Sequence, residues 1–159
     1  MSKRKPASGR SVQSRQPEGQ LDPRQQGLRA FQARRFDQAI TIWQGLVQRD
    51  ASVKAALAEA YFRQALTRTL PEEQVADLQQ ALALVADDMR YQYHLGLALH
   101  RAGDLAGAIE RYRAVLQRNP RWPGAGKVLA LATLEQDPQA DIAALPGSTP
   151  EVSATLAPS

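Results

Sequence analysis

The chain repeats itself at a distance of 69 residues, and nothing else in it constrains the fold as tightly. Displaced by that interval, Gly27 falls on Gly96, Leu28 on Leu97, Ala33 on Ala102 and Phe36 on Leu105. Ala39-Ile40 falls on Ala108-Ile109, Trp43 on Tyr112, and Leu46-Val47 on Val115-Leu116. Gln48-Arg49-Asp50 then meets Gln117-Arg118-Asn119. Internal repetition of this kind belongs to stacked supersecondary units, none of which buries its apolar face alone. The interval is twice a unit of about 34 residues, with one residue to spare. A third copy is therefore expected over residues 54–88. VKAALAEAYFRQAL, a break at TLPEE, and VADLQQALALV fill that gap. This copy is less regular: Tyr61 stands where the others have glycine, and Gln74 where they have alanine.

Each copy reads as two helices. Apolar residues recur at helical spacing from Leu21 to about Gln136. Alanine and leucine supply most of them, while aromatics are only 6% of the chain, a mix that favours helix over strand. Gly103 suits the left-handed residue that ends a helix, and Asp104 suits the cap of the next. Asp22-Pro23, Pro71-Glu72-Glu73 and Asp87-Asp88 are further helix starts, with proline or carboxylates at the positive end of the dipole. Arg34 occupies the position of Gly103 in the first copy. A positive φ there costs arginine about 1 kcal/mol, so that turn is expected to differ. Gly96 and Ala108 are small where paired helices approach, and Trp43 and Tyr112 follow the alanines by four residues on the same face.

The third copy is the best written: Gln92-x-x-Leu95-Gly96-x-x-Leu99, then Ala108-x-x-x-Tyr112, then Pro120. It resembles the tetratricopeptide repeat (TPR) family, whose pattern is W-x-x-L-G-x-x-Y, A-x-x-x-F and P. Gln92 replaces the tryptophan, Leu99 the tyrosine, and Ala51 the proline of the first copy. The resemblance spans roughly residues 20–136. It implies an all-α, right-handed superhelical array of three helix-turn-helix hairpins, over about 20–53, 54–88 and 89–122, plus a C-terminal capping helix over about 124–136. It also implies a concave groove lined by the first helix of each hairpin. The residues placed there are Leu21, Arg24, Leu28, Phe31 and Gln32; Ala55, Ala58, Phe62, Ala65 and Leu66; and Arg90, Tyr93, Leu97, His100 and Arg101. Such a groove is apolar in the middle and basic towards its ends. It would suit a peptide or helix of another protein with an apolar anchor and flanking acidic groups. The alternative is that Phe62, Leu66 and Leu97 only pack between hairpins. Some family members clamp a C-terminal carboxylate with lysine and asparagine. This chain has no asparagine before Asn119, so that mode is not expected.

The ends differ from the body. Residues 1–20 hold Lys3, Arg4, Lys5, Arg10 and Arg15 against Glu18, which accounts for the whole net charge of +4. They lack an apolar stretch and read as a disordered basic tail. The alternative role is an adaptor tethered by this tail to nucleic acid or an acidic membrane surface. Residues 137–159 read as a flexible, acidic, proline-containing tail or linker. The centre of the helix at 124–136, VLALATL, is apolar on nearly every face, poorly suited to end an array. Self-association there, continuation in a longer parent, or a tail that folds back are all open. Ile142, Leu145, Val152 and Leu156 are the tail residues expected to visit the basic-ended groove if the tail folds back.

Little in the chain suits chemistry. There is no cysteine, hence no disulfide or thiolate metal site. His94 and His100 are six apart, on different helix faces, with no paired carboxylate, so no metal site is expected. Gly124-Ala125-Gly126-Lys127 lacks the outer features of a phosphate loop, with Arg121 and Val128 where glycine and serine or threonine belong. Ser8, Ser11 and Ser14 have no base or oxyanion partner. The expectation is a non-catalytic scaffold or adaptor with no cofactor. No run nears the ~20 apolar residues of a membrane span, and the cytoplasm is the expected compartment. Arginine in excess, with one asparagine, fits a GC-rich bacterial genome.

Overall fold

Asp22 and Pro23 open the first helix as their order predicts: the Asp22 carboxylate accepts from the Arg24 backbone N–H, and Pro23 takes the first helical position. A computed structural model describes residues 20–147, and among them there are seven α-helices and no strand. They are α1 (Pro23–Gln32), α2 (Phe36–Val47), α3 (Lys54–Ala65), α4 (Pro71–Leu84), α5 (Met89–Arg101), α6 (Leu105–Arg118) and α7 (Ala125–Gln136). A 3₁₀ turn, Ala51–Val53, leads into α3. Asp88 caps α5 through the Arg90 N–H at 2.8 Å, and Asp104 caps α6 through the Gly107 N–H at 2.9 Å. Pro71, Glu72 and Glu73 start α4. Consecutive helices pack against one another from α1 to α7, and their short connections make neighbours antiparallel. The architecture is all-α and helical repeat-like. One apolar cluster runs from α1 to α5, and a second joins α5, α6 and α7.

The repeat has a physical basis in two glycine–aromatic pairs. A methyl placed on Gly96 would lie 2.5 Å from Cε1 of Tyr112, and one on Gly27 would collide with the Trp43 indole. In the first and third hairpins the second helix thus presses an aromatic ring onto bare backbone of the first. The middle hairpin reverses the sizes. Tyr61 on α3 stands at the glycine position, and Leu78 on α4 stands one unit before Tyr112; both are buried. The Tyr61 hydroxyl accepts a hydrogen bond from Gln44 Nε2 on α2, so the ring reaches back to the first hairpin. Gln74, in place of Ala39 and Ala108, donates from Nε2 to the Arg68 carbonyl at 2.7 Å and fastens the turn between α3 and α4. Arg68 Nε in turn donates to Asp77 Oδ2 at 3.0 Å.

The turn at Arg34 does not differ from the one at Gly103. Both residues lie in the left-handed region, with φ of 59° and 87°. Both turns close alike: Arg35 N–H donates to the Ala30 carbonyl and Asp104 N–H to the Leu99 carbonyl, each at 2.9 Å. Tertiary packing of α1 against α2 imposes the conformation despite its cost. Arg34→Gly is accordingly expected to raise unfolding stability by about 0.5–1 kcal/mol. Urea denaturation checks this. A lower midpoint would mean that the guanidinium, 6.0 Å from the Phe36 ring centroid, holds the turn more firmly than the strain opposes it.

The apolar α7 is covered from several sides. Ala125, Leu129, Ala130 and Ala132 are fully buried, with α6 and α5 against the helix. After Gln136 the chain returns over this end. Leu145 packs into the second cluster, and Gly147 lies against Gly126 of α7 and Leu116 of α6. Of the outcomes left open for this helix, the described residues show the returning segment. Val152, Leu156 and residues 1–19, with their basic groups and serines, lie outside the described residues.

A candidate binding cleft between the second and third hairpins

Three helices meet around a cleft of about 250 Å³. Ala65 and Leu66 line it from the end of α3, Gln74 and Leu78 from α4, and His94, Leu97 and Arg101 from α5. The three α5 residues are spaced three and four apart and so share one face. Leu66 is 49% exposed, unusual for a leucine in a body that buries most of its large apolar residues. Arg101 donates from Nε to the Leu97 carbonyl at 3.3 Å and has no carboxylate partner among the described residues. Its charge is therefore available at the rim. Gln74 is 7% exposed, and its Oε1 accepts no hydrogen bond although Nε2 is engaged.

The structure brings four of the expected groove residues, Ala65, Leu66, Leu97 and Arg101, to this one cleft. The others sit elsewhere. Phe62 is buried in the first cluster, with ring centroids 5.0 Å from Tyr91 and 5.1 Å from His94, and Arg90 lies over it. Arg90 is bound to Asp88 at 2.8 Å and Glu59 at 3.1 Å, and Arg24 is paired with Asp50. The positive charge expected at those points is thus met by neighbours. Tyr93 packs among His94, Tyr112 and Trp122, and His100 contacts Glu135 of α7 at 3.0 Å. Phe31 lies half-buried against Phe36 and Trp43, and Leu28 on α1 is exposed. Sequence reasoning missed Gln74, Leu78 and His94 as cleft residues. For Gln74 a signal was present, because it breaks the alanine pattern of the other two copies.

One ion pair, Arg90 with Glu59, ties α5 to α3. Burial works to raise the Glu59 carboxyl, but hydrogen bonds from Arg63 and Tyr91 and the Arg90 guanidinium outweigh it and hold it below its ordinary value. For His94 all causes act in one direction: desolvation first, then the charges of Arg101 and Arg90, lower its pKa below the usual 6.5. The unfolded chain therefore takes up a proton on His94 at a pH where the folded chain does not. Stability is expected to be flat between about pH 7 and pH 9 and to fall as the pH drops through the ordinary histidine value; it also falls as the pH rises through the ordinary tyrosine value, because burial holds the Tyr61, Tyr91, Tyr93 and Tyr112 hydroxyls above it. A second fall on the acid side follows below the ordinary carboxylate value, where unfolded Glu59 protonates before folded Glu59. Urea midpoints measured against pH check these steps. His94→Asn should remove the first step and leave the second; a first step of unchanged size in that variant would contradict the assignment.

Two other surface hollows are less suited to a ligand. One follows the outer face of α6 (Ile109, Glu110, Arg113), and the other lies at the turn ends, where Asp37 sits with Arg34 and Arg68. Both mix charges of opposite sign. Among the described residues, no three His, Cys, Asp or Glu side chains come together as a metal site would need, and no helix is long and apolar enough to cross a membrane. The described residues thus form an all-helical, helical repeat-like protein with a hollow lined by Leu66, Leu78 and Leu97 and edged by a guanidinium that no carboxylate among them pairs. No protein-family model matches the chain, and no curated protein matches it.

Proposed function

We propose that the chain is a non-catalytic protein-binding adaptor of the tetratricopeptide-repeat kind, working in the cytoplasm and holding a peptide or helix of another protein in the cleft between α3, α4 and α5. The 69-residue repetition and the two glycine–aromatic pairs support the family reading. The observation that carries the binding role is the cleft itself, where exposed Leu66 and half-buried Leu97 lie beside a guanidinium that no carboxylate neutralises. An apolar side chain entering there removes leucine surface from water, at roughly 25 cal/mol per Å². An acidic neighbour on the same ligand then meets Arg101.

Selection of peptides from a displayed library on the full chain tests this reading. Recovered sequences are expected to share an apolar or aromatic residue near an acid. Their binding should drop at least tenfold in Leu66→Glu and in Arg101→Glu, a loss of about 1.4 kcal/mol or more. Equal binding by both variants would sink the cleft as the site. Salt separates the tethering alternative: binding through the basic tail collapses between low and physiological salt, whereas apolar cleft binding persists.

A further inference from the structure

The middle hairpin departs from its two neighbours where the cleft opens. In the first and third hairpins the alanine on the second helix, Ala39 or Ala108, is fully buried and offers nothing polar. At the equivalent place the middle hairpin carries Gln74, more than nine-tenths buried and lining the cleft. Its amide nitrogen is spent on the Arg68 carbonyl, so its orientation is set, and Oε1 is left without a donor. An acceptor withdrawn from water and left unmatched is unfavourable, and few survive in folded proteins without a partner that completes them. The aromatic ring that fills this position in the other hairpins is also missing from the second helix. Leu78 replaces Trp43 and Tyr112, and Leu78 too lines the cleft. The unit has thus moved its ring to Tyr61 on the first helix, leaving Leu78 and a buried acceptor at the cleft.

We infer that the cleft recognises an aromatic side chain bearing a hydrogen-bond donor, as in tyrosine or tryptophan, followed by a carboxylate side chain. The ring lies over Leu78 between Leu66 and Leu97, a small adjustment of the Gln74 side chain that keeps its bond to the Arg68 carbonyl uncovers Oε1 to accept from the ring's O–H or N–H, and the acid meets Arg101. Aromatic residues with a polar tip suit such a site, because one body supplies apolar area and its single donor needs one acceptor. No acidic side chain lines the cleft to repel the carboxylate. This inference rests on the cleft being the binding site, and it narrows what the cleft accepts.

Four short peptides, acetylated and amidated, test it on the full isotope-labelled chain: Ser-Gly-Tyr-Glu-Gly-Ser, its Tyr→Phe and Tyr→Leu forms, and its Glu→Gln form. The tyrosine–glutamate peptide is expected to bind about tenfold more tightly than the phenylalanine form, which leaves the acceptor unmatched. The glutamine form should also be weaker, and Arg101→Gln should erase that difference. In Gln74→Ala the tyrosine and phenylalanine peptides should bind alike. Equal binding of the tyrosine, phenylalanine and leucine peptides to the unaltered chain, with Leu66 and Leu97 signals moving, overturns this inference and leaves the cleft as a binding site. If none of the peptides moves those signals, the binding role of the cleft falls with it. The peptide comparison needs no altered protein, so a variant that fails to fold does not remove the test.

Discussion

Tyr112→Ala is expected to lower unfolding stability by about 3–5 kcal/mol, a large share of what a domain of this size possesses. The ring is fully buried and lies at the junction of the second cluster, with centroids 6.2 Å from Tyr93 and 6.4 Å from His100. Its bed on α5 is Gly96, which has no side chain to move into the vacated space. The cavity therefore stays open, and the cost approaches the upper range for such truncations. The hydroxyl is 3.5 Å from His100 Nδ1, too long for a strong bond, so Tyr112→Phe should cost less than about 1 kcal/mol. Urea denaturation of the two variants checks both numbers. A Tyr112→Ala protein within about 1 kcal/mol of the parent would mean that the hairpins do not depend on the ring–glycine contact.

The same contact makes opposite predictions for one substitution at three positions. Glycine to alanine inside a helix ordinarily stabilises by about 0.5–1 kcal/mol. Gly45→Ala on α2 should do so, since nothing lies within 4 Å of the added methyl. Gly96→Ala and Gly27→Ala should instead destabilise by about 1–3 kcal/mol, because the methyl meets a buried ring with no room to retreat. The middle hairpin suggests the compensation, since Tyr61 and Leu78 exchange the sizes of the pair. Gly96→Ala combined with Tyr112→Leu should lose less than the sum of the two single changes. Thermal or urea unfolding of the set decides it. A stabilising Gly96→Ala would contradict the packing described for α5 on α6.

Most of the helical framework was legible because it depends on local chemistry. Asp22-Pro23, Asp104 and the Pro71-Glu72-Glu73 start mark helix ends through caps and dipoles that neighbouring residues alone decide. The glycines at 27 and 96 were readable as close approaches because their aromatic partners repeat at the same interval. Arg34 was misread for a physical reason. Local strain predicts a different turn, but the packed hairpin holds arginine in the left-handed region all the same. The candidate site was legible only in part. The resemblance to the repeat family implies a groove holding Leu66, Leu97 and Arg101, but it does not say which charges find partners across helices. Arg24 and Arg90 are neutralised by Asp50 and by Glu59 with Asp88, two of these acids on other elements, and only the folded chain shows it. The return of the chain over α7 depends on Gly147 fitting against Gly126, a contact between residues no pattern connects.

The binding role of the cleft is tested most directly by titrating the labelled full chain with a peptide selected on it and following side-chain signals by nuclear magnetic resonance. The Leu66 and Leu97 methyls and the Arg101 guanidinium are predicted to shift together and saturate at one affinity, with Ile109 and Arg113 on the outer face of α6 unmoved. Shifts confined to the α6 face or to the basic residues before Glu18, with Leu66, Leu97 and Arg101 silent, would contradict it.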